Sequence, residues 1–361
     1  MRLFQNSGLY PSYRPRLEKL ASATSTFQER INVFLDDRFG ASHFLKPVLD
    51  RDPAAFFTNA DDRNAQRLWA KAAGMPNNSS TDDILLAQIE QHRTEVFYNM
   101  DPMRFQREFL VRLPGCVRKT VAWRAAPSPG ADFSRYGLVV CNFPSILEKF
   151  QRDGCNTALF WPAHDPAMDA YATNVDRPID VLFVGGYTRH HRKRAELLEA
   201  LSALDGEYEI AMHLDRSRLT RIAEAVPSWV PGLSQHRRPD AIQRVSRAPV
   251  FGLDLYRLLS RAKIVLNGAI DMAGTDRGNM RCFESMGCGC ALLSDAGNYP
   301  EGMTPGSTLN TYSSTTDAIA RVNAMLADAP ATAALAESGR IMISQRYSKL
   351  RQWERFVVLA Q

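Results

Sequence analysis

The sequence predicts an α/β protein made of two Rossmann-like domains with parallel sheets. Short apolar segments typical of buried strands alternate along the chain with segments of helical periodicity, as in parallel sheets covered by helices. The chain has 361 residues, more than one hydrophobic core usually serves, so two domains are expected. No internal repeat or low-complexity segment contradicts this interpretation.

The first predicted domain extends over residues 1–165. Its expected strands cover 2–5, 54–58, 95–98, 121–123, 138–141 and 157–160. A mostly helical region and three further helices are expected over 13–49, 61–73, 82–92 and 145–152. Asp82 and Asp83 are expected to cap the helix over 82–92.

Polar residues follow several strands of this domain. In open α/β sheets the carboxyl ends of the strands form the edge at which ligands bind, so residues there are candidates to contact a substrate. The residues after the first strand are equally compatible with a plain turn, and those after the later strands are, taken singly, more typical of ordinary loops. The candidates on this side are Asn6, Ser7, Gly8, Asn99, Asp101 and Arg124.

A segment bracketed by prolines, 161–166, is expected to lead into a second domain over 166–345. Its predicted strands cover 179–184, 208–213, 264–266 and 291–293. Its predicted helices cover a segment ending at 204 and the ranges 253–261, 280–286, 317–326 and 331–345. The final segment, 346–361, is expected to contain a terminal helix.

The strand over 179–184 is followed by Gly185 and Gly186 and then by a cationic helix start. Glycine lets the backbone approach an anion closely, and the N–H groups and cations of a helix start attract one. This arrangement predicts an anion site, although a basic solvated helix face or a nucleic-acid patch has the same composition. The candidate cations are Arg189, Arg192 and Lys193.

A second glycine-rich loop precedes the helix over 280–286. Gly278 gives the loop backbone freedom, and Arg277 and Arg281 add positive charge, so the loop is suited to cradle a diphosphate. Glu284 lies three residues after Arg281, on the same helix face. A carboxylate there is suited to accept hydrogen bonds from ribose hydroxyls. The alternative is that Arg281 and Glu284 form a solvated helical ion pair.

The same stretch carries the pattern R-x-F-E-x-M-x-x-G-x-x-L-L and resembles the donor-binding segment of GT-B glycosyltransferases. The resemblance is to the type called glycosyl transferases group one, near the CgeB-like branch. The matching residues are Arg281, Phe283, Glu284, Met286, Gly289, Leu292 and Leu293. The resemblance implies a GT-B fold, in which two Rossmann-like domains face each other across a cleft and a C-terminal helix crosses back to the first domain.

This resemblance also implies roles for individual residues. Glu284 would hold the donor ribose, and Asp276 stands eight positions upstream, where the family has a glutamate that contacts the donor sugar. Arg189, Arg192 and Lys193 would neutralise the leaving diphosphate. The other donor-binding candidates are Gly185, Gly186, Asn267, Gly278, Asn279, Arg281, Asp295 and Phe251, the last in a region that packs against the nucleobase in resembling proteins.

A histidine of the first domain is compared with the corresponding feature of glycosyltransferases. In resembling enzymes a histidine of the amino-terminal domain reaches the donor sugar, and His43 would also be the place for a side-chain base in an inverting enzyme. A lone histidine is more often structural.

The segment 50–52 reads Asp-Arg-Asp, a metal-binding form in another glycosyltransferase fold. Pro53 follows it directly, so we interpret it as a solvated turn and expect no metal.

The resemblance implies an enzyme that moves a sugar from a nucleotide diphosphate sugar to an acceptor hydroxyl. Retention of configuration, no metal, no cofactor and a role in bacterial glycan or glycoconjugate synthesis are expected. The acceptor is left open among glycans, lipid-linked glycans, proteins and small molecules. Two alternatives remain: a nucleotide-sugar epimerase on the same fold, and a non-catalytic partner protein that binds a nucleotide sugar.

Composition limits the cellular setting. The net charge of +5 suits an anionic substrate or peripheral membrane association and does not require nucleic acid. Neither a run of about 18 apolar residues nor a signal-peptide apolar region is present, so a cytoplasmic protein is expected, either free or at the inner face of the membrane. The 6 cysteines lack paired zinc spacing and are interpreted as reduced thiols.

Overall fold

The computed structural model describes residues 1–188, 191–227, 232–268 and 272–361. These residues form two compact units. Unit 1 comprises Met1–Ala163 and Tyr347–Gln361, and unit 2 comprises His164–Arg346. Each unit contains its own six-stranded parallel sheet. The predicted α/β class with two Rossmann-like domains is therefore confirmed.

The sheet of unit 1 is assembled from short, largely buried strands. They are β1 (Leu3–Asn6), β2 (Ala55–Thr58), β3 (Val96–Asn99), β4 (Lys119–Trp123), β5 (Leu138–Cys141) and β6 (Thr157–Leu159). Their order in the sheet is β2-β1-β3-β4-β5-β6, and all neighbours are parallel. Strand order reverses beside β1, because the chain goes to β2 on one side and then to β3 on the other. Such a switch point opens a crevice at the carboxyl ends of the strands.

Seven α-helices precede residue 164 in unit 1 and pack against this sheet. In chain order, they are α1 (Arg14–Leu20), α2 (Phe27–Asp36), α3 (Lys46–Leu49), α4 (Arg63–Ala72), α5 (Thr81–Gln91), α6 (Arg107–Leu110) and α7 (Pro144–Arg152). The predicted cap of α5 is wrong. Ser80 is the N-cap, because its hydroxyl accepts the Asp83 N–H at 3.1 Å. Asp82 and Asp83 lie in the first turn, where their charges favour the helix dipole.

The sheet of unit 2 is also entirely parallel. Its strands are β7 (Ile179–Gly186), β8 (Ile210–Asp215), β9 (Ser246–Arg247), β10 (Ala262–Asn267), β11 (Ala291–Asp295) and β12 (Asn310–Tyr312). They are arranged in the order β12-β11-β10-β7-β8-β9. The prediction missed β9 and β12, which are too short to show a period-2 pattern. It also placed Gly185 and Gly186 after β7, whereas both are in the strand and pair with Leu214 and Asp215 of β8.

Helices cover unit 2 on both sides of the sheet. They are α8 (Asp169–Ala172), α9 (Arg192–Ser202), α10 (Arg218–Ala225), α11 (Asp240–Val245), α12 (Gly252–Leu259), α13 (Met280–Gly287), α14 (Thr315–Ala327) and α15 (Ala329–Arg346). Successive residues of β10 enter different cores: Ile264 packs in the cluster that includes Leu198, whereas Val265 packs with Tyr256. A strand that is buried on both faces has no polar side, which explains the continuous apolar runs of this sheet.

The last helix of the chain, α16 (Lys349–Ala360), belongs to unit 1. The Lys349 ammonium is buried and donates hydrogen bonds to the carbonyl oxygens of Ala41 and Phe44. The Phe356 ring is fully buried, and its centroid lies 5.0 Å from that of Tyr98. The C-terminal segment thus completes the core and the polar bonding of unit 1. None of the described helices is long and apolar enough to cross a lipid bilayer.

Candidate functional site

The loop between β10 and α13 is fixed at the carboxyl edge of the unit 2 sheet by a single asparagine. The Arg277 N–H donates to the Asn298 carbonyl oxygen at 2.8 Å, and the Asn298 N–H donates to the Thr275 carbonyl oxygen at 2.8 Å. Gly297 allows this approach, because a Cβ there would lie 2.4 Å from the Thr275 oxygen. The backbone from Thr275 to Arg277 is therefore held by its pairing with Asn298.

Gly278 directs this loop into α13. Its φ of 96° lies in the left-handed region that favours glycine, and a Cβ there would come within 2.6 Å of the Pro300 ring. Asn279 follows as the N-cap of α13, but its side chain forms no cap hydrogen bond and instead donates to Asn267 Oδ1 at 3.2 Å. The first-turn N–H groups of α13 therefore have no side-chain cap and are suited to bind an anion.

Arg281 and Glu284 form a buried ion pair in the first turns of α13. Arg281 Nη1 lies 2.6 Å from Glu284 Oε2, and Glu284 is only 2% exposed. The alternative of a solvated helical pair is therefore wrong. Burial raises the pKa of the Glu284 carboxyl, and the Arg281 charge opposes that rise. Arg281 Nε is also buried and has no hydrogen-bond partner among the described residues. A desolvated charge pair with spare hydrogen-bonding capacity is typical of a functional site.

Asp276 lies in the same loop, close to the start of α13. It is 6% exposed, and its N–H donates to the Ala273 carbonyl oxygen at 2.9 Å. It also forms an isolated β-bridge with Asn298. The predicted contact of Asp276 with the donor sugar stays a prediction. Among the described residues, no group of three or more His, Cys, Asp or Glu side chains could hold a metal ion.

A cavity of about 450 Å³ lies within unit 2, between the start of α9 and the carboxyl ends of β10, β11 and β12. Lys193 and Arg277 both line it. Arg277 Nε is 2.5 Å from Asp295 Oδ2, so that aspartate fixes the guanidinium. Arg194 also lines the cavity and donates to the Gly268 carbonyl oxygen. The prediction did not include Arg194, although it belongs to the same cationic run.

The other predicted donor-binding residues are only partly brought together. Asn267 is central, because its Nδ2 donates to Ser294 Oγ at 3.0 Å and its carbonyl oxygen accepts the Tyr312 hydroxyl at 2.9 Å. Phe251 directly precedes α12, and Arg192 is exposed in the first turn of α9. Of the described residues predicted to bind the donor, Asp295 lines the 450 Å³ cavity together with Lys193. The cavity is not lined by Phe251, Arg192, Gly185, Gly186, Asn267, Gly278, Asn279, Arg281 or Glu284. Arg189 lies outside the described residues.

Solved structures with the same arrangement of elements are numerous, and three illustrate the likeness. HepE from Anabaena, in complex with UDP and glucose, has 14% identity and a TM-score of 0.58 over 99% of each chain. A glycosyltransferase from Rickettsia africae has 11% identity and a TM-score of 0.54 over 99% of this chain and 97% of that one. A TarM variant from S. aureus, in complex with fondaparinux, alpha-GlcNAc-glycerol and UDP, has 11% identity and a TM-score of 0.55 over 78% of this chain and 59% of that one. At such identities the likeness shows the fold.

The sequence itself provides the deciding observation. Residues 189–357 match the family model described as glycosyl transferase-like, and this range contains the glycine-rich loop, Arg281 and Glu284. Residues 189–357 are therefore similar to glycosyl transferases, and the chain has the GT-B fold. No curated protein sequence matches it.

In unit 1, the predicted polar residues meet beside β1 and β3. Asn6 Nδ2 donates to Asn99 Oδ1 at 2.9 Å, and Asn99 Nδ2 donates to the Tyr136 hydroxyl at 2.6 Å. The Asn6 side-chain oxygen also accepts the Ala60 N–H at 3.0 Å, and the Ser7 carbonyl oxygen accepts Asn59 Nδ2 at 3.1 Å. The buried asparagines therefore brace the sheet edge.

The half-buried carboxylates of this edge are Asp61 and Asp101. The Asp61 carboxylate accepts the Leu9 N–H, whereas Asp101 lies against Gly8, where a Cβ would be 3.6 Å from Asp101 Cγ. Burial and the Asp61 charge raise the pKa of Asp101. Arg124 donates from Nε to Ser128 Oγ at 2.6 Å, and burial lowers its pKa. The prediction missed Asp61, because it assigned this residue to the helix that follows β2.

His43 lies on a 3-10 turn in unit 1, with its ring centroid 4.6 Å from that of Trp123. Burial and the Lys349 charge lower the pKa of His43 to about 3. A general base works best when its pKa lies near the operating pH. His43 is therefore suited to a neutral hydrogen-bonding role rather than to proton abstraction.

This lowered pKa predicts a measurable titration behaviour. The ring C–H signal of His43, assigned with a His43→Gln variant, should not shift between about pH 5 and 8 in an NMR titration. The unfolded chain binds this proton at higher pH than the folded chain does. Stability linked to His43 is therefore present above about pH 6.5 and is lost as the pH falls toward 3. A midpoint near the ordinary histidine value would contradict the described environment.

Proposed function

We propose that this glycosyltransferase moves a sugar from a UDP-sugar to an acceptor hydroxyl, with retention of anomeric configuration and without a metal ion. The observation that carries the proposal is the buried Arg281–Glu284 pair at the start of α13. The ionised Glu284 would accept hydrogen bonds from the ribose hydroxyls. The diphosphate would lie at the uncapped N–H groups of α13, close to Arg281. The choice of UDP is supported by the HepE and TarM structures, which contain it.

The same arrangement explains how the reaction would be promoted. The bond between the anomeric carbon and the diphosphate oxygen breaks, and the acceptor oxygen forms the new bond to that carbon. Negative charge grows on the departing diphosphate, and fixed cations and helix N–H groups stabilise it most when they need no reorganisation. Lys193, Arg281 and the start of α13 are the groups we assign to this task. The acceptor proton passes to the diphosphate itself, which suits retention.

We assign acceptor binding to the polar edge of unit 1, where Asp101 and Arg124 accompany the asparagine network. The proposed setting is bacterial glycan or glycoconjugate synthesis, in the cytoplasm or at the inner face of the membrane. Bacterial sources for the similar structures and a net charge of +5 support this setting. A glycan, a lipid-linked glycan, a protein or a small molecule would each present the required hydroxyl.

The proposal is tested by thermal shifts with UDP, GDP and ADP. UDP is expected to raise the melting temperature most, since a ligand at 100 times its Kd adds roughly 2.7 kcal/mol of stability. Lys193→Ala should weaken this response more than Arg192→Ala, because Lys193 lines the cavity and Arg192 does not. The two variants remove the same charge from adjacent exposed positions. Absence of any response to UDP would refute the donor assignment.

A further inference from the structure

A second strongly cationic concavity lies in unit 1, far along the chain from the glycine-rich loop. It is a groove of about 640 Å³ between α4 and the start of α5. Arg63, Arg67 and Lys71 line one side. Successive members of this set are four residues apart, so they form one stripe on the exposed face of α4. Adjacent members are separated by about 6 Å along the helix axis.

The three cations of this groove are not engaged elsewhere. None of them forms an ion pair or a side-chain hydrogen bond with any residue that the structure describes, and all three are exposed. No lining residue is acidic. Asp83, in the first turn of α5, is bound by the Ser80 hydroxyl and by Arg112. No acidic side chain of the described chain therefore lines the groove or pairs with its three cations.

The groove is a built feature of the fold rather than a chance gap between side chains. Gln66, on its floor and 2% exposed, donates to Thr58 Oγ1 at 2.8 Å and accepts Gln88 Nε2 at 3.0 Å, which ties α4 to α5. Helix α4 then stops at Gly74, whose φ of 69° is left-handed. The Met75 N–H closes that end on the Ala70 carbonyl oxygen at 2.9 Å. The spacing between the walls is thus set by buried bonds.

The opposite wall supplies uncharged donors. Asn77 and Asn78 line the groove, and their side-chain amides form no hydrogen bond with any described residue. The neighbouring Ser79 and Ser80 hydroxyls are used within the loop, on the Pro76 carbonyl oxygen and on Asp83. A ligand in the groove would therefore meet three cations on one side and two free amides on the other.

This composition identifies the chemistry of the ligand. Like charges about 6 Å apart repel one another, and a phosphate group relieves that repulsion with its own charge while offering several strong acceptor oxygens. A cavity of this volume is also in the range that holds small ligands. We propose that the groove binds a phosphate group other than that of the sugar donor, carried by a soluble compound or by a lipid headgroup. This inference does not depend on the proposed function.

The test compares two matched double variants of the full chain. Arg67→Ala with Lys71→Ala removes two groove cations, and Arg152→Ala with Lys149→Ala removes the same pair of residue types from exposed positions of α7. Alanine is a strong helix former, so both variants should keep their melting temperatures. Binding is measured by calorimetry with inorganic pyrophosphate. Co-sedimentation is measured with phosphatidylglycerol–phosphatidylcholine vesicles and with pure phosphatidylcholine vesicles.

The groove variant is expected to lose roughly tenfold or more in affinity for one probe, since each charge-assisted bond is a strong one. If only the groove variant loses binding of pyrophosphate, the ligand is a soluble phosphate compound. Loss of binding to phosphatidylglycerol vesicles in that variant alone assigns a lipid headgroup. Equal losses in both variants, or no loss in either, would overturn the proposal and leave the stripe as a solvated helix face.

Discussion

Replacing Glu284 with glutamine is expected to lower the affinity for UDP by roughly 10- to 100-fold, as measured by calorimetry. Glu284 is almost fully buried, and its ionised carboxylate is the acceptor that we assign to the ribose hydroxyls. Glutamine keeps the size and one acceptor oxygen but loses the charge, and hydrogen bonds to a charged group contribute about 1.5–3 kcal/mol. The remaining oxygen still accepts from Arg281, so the variant should fold.

Glu337→Gln provides a matched control. Glu337 also forms a helical ion pair with an arginine three residues away, Arg340, at 2.6 Å, but its side chain is 53% exposed. Exposed pairs of this kind contribute little, so this variant should bind UDP as the unaltered chain does. An unchanged affinity in Glu284→Gln would remove the ribose role and would reduce the buried pair to a structural element.

The pH dependence of UDP binding should follow the same carboxyl. Burial raises the pKa of Glu284, so protonation begins at a higher pH than for an exposed glutamate. UDP affinity should therefore fall as the pH decreases through that raised pKa, and the difference between the unaltered chain and Glu284→Gln should shrink. The effect on stability has the opposite sign: the raised pKa favours the folded state at low pH, and this contribution is lost as the pH rises through it.

The second large effect is expected for Gly297→Ala. The new methyl would lie 2.4 Å from the Thr275 carbonyl oxygen and 2.7 Å from Arg277 Cγ, so the loop before α13 must move. Displacement breaks the backbone pairing with Asn298 and shifts the start of α13. We expect a loss of about 1–3 kcal/mol of stability and strongly weakened UDP binding.

Thermal denaturation with and without UDP measures both effects. Gly186→Ala is the control for stability, because a Cβ at Gly186 meets no atom within 4 Å and the residue is not left-handed. That variant should melt with the unaltered chain. A Gly297→Ala variant with unchanged melting temperature and unchanged UDP response would show that the loop tolerates the displacement. The proposed importance of a pre-formed loop would then be wrong.

The fold class was predictable because both sheets bury their strands on two faces. The segments 138–141 and 291–293 are therefore continuously apolar, and the strands Leu138–Cys141 and Ala291–Asp295 were predicted within two residues. The prediction missed the strands Ser246–Arg247 and Asn310–Tyr312 because they are short, and two or three residues carry no periodic signal. The end of β7 was misplaced because glycine usually marks a turn, whereas here pairing with β8 continues through it.

The candidate site was predictable only where residues are close in sequence. Arg281 and Glu284 are three residues apart on one helix, so their pairing followed from helical geometry. Their burial did not, because it depends on the packing of α13 within unit 2. The Arg194 side chain donates to the Gly268 carbonyl oxygen, which is 74 residues further along the chain. Asp61 lies beside Asp101, which is 40 residues further along. Only the folded sheet edge brings such residues together.

The return of α16 to unit 1 has a consequence for biosynthesis. When the ribosome has added residue 346, all of unit 2 has been made, yet unit 1 still lacks Lys349 and Phe356. The carbonyl oxygens of Ala41 and Phe44 and the ring of Tyr98 then await partners that are more than 200 residues away in sequence. Unit 1 is thus begun before unit 2 but completed after it, and its final closure is postponed until all of unit 2 has been synthesised.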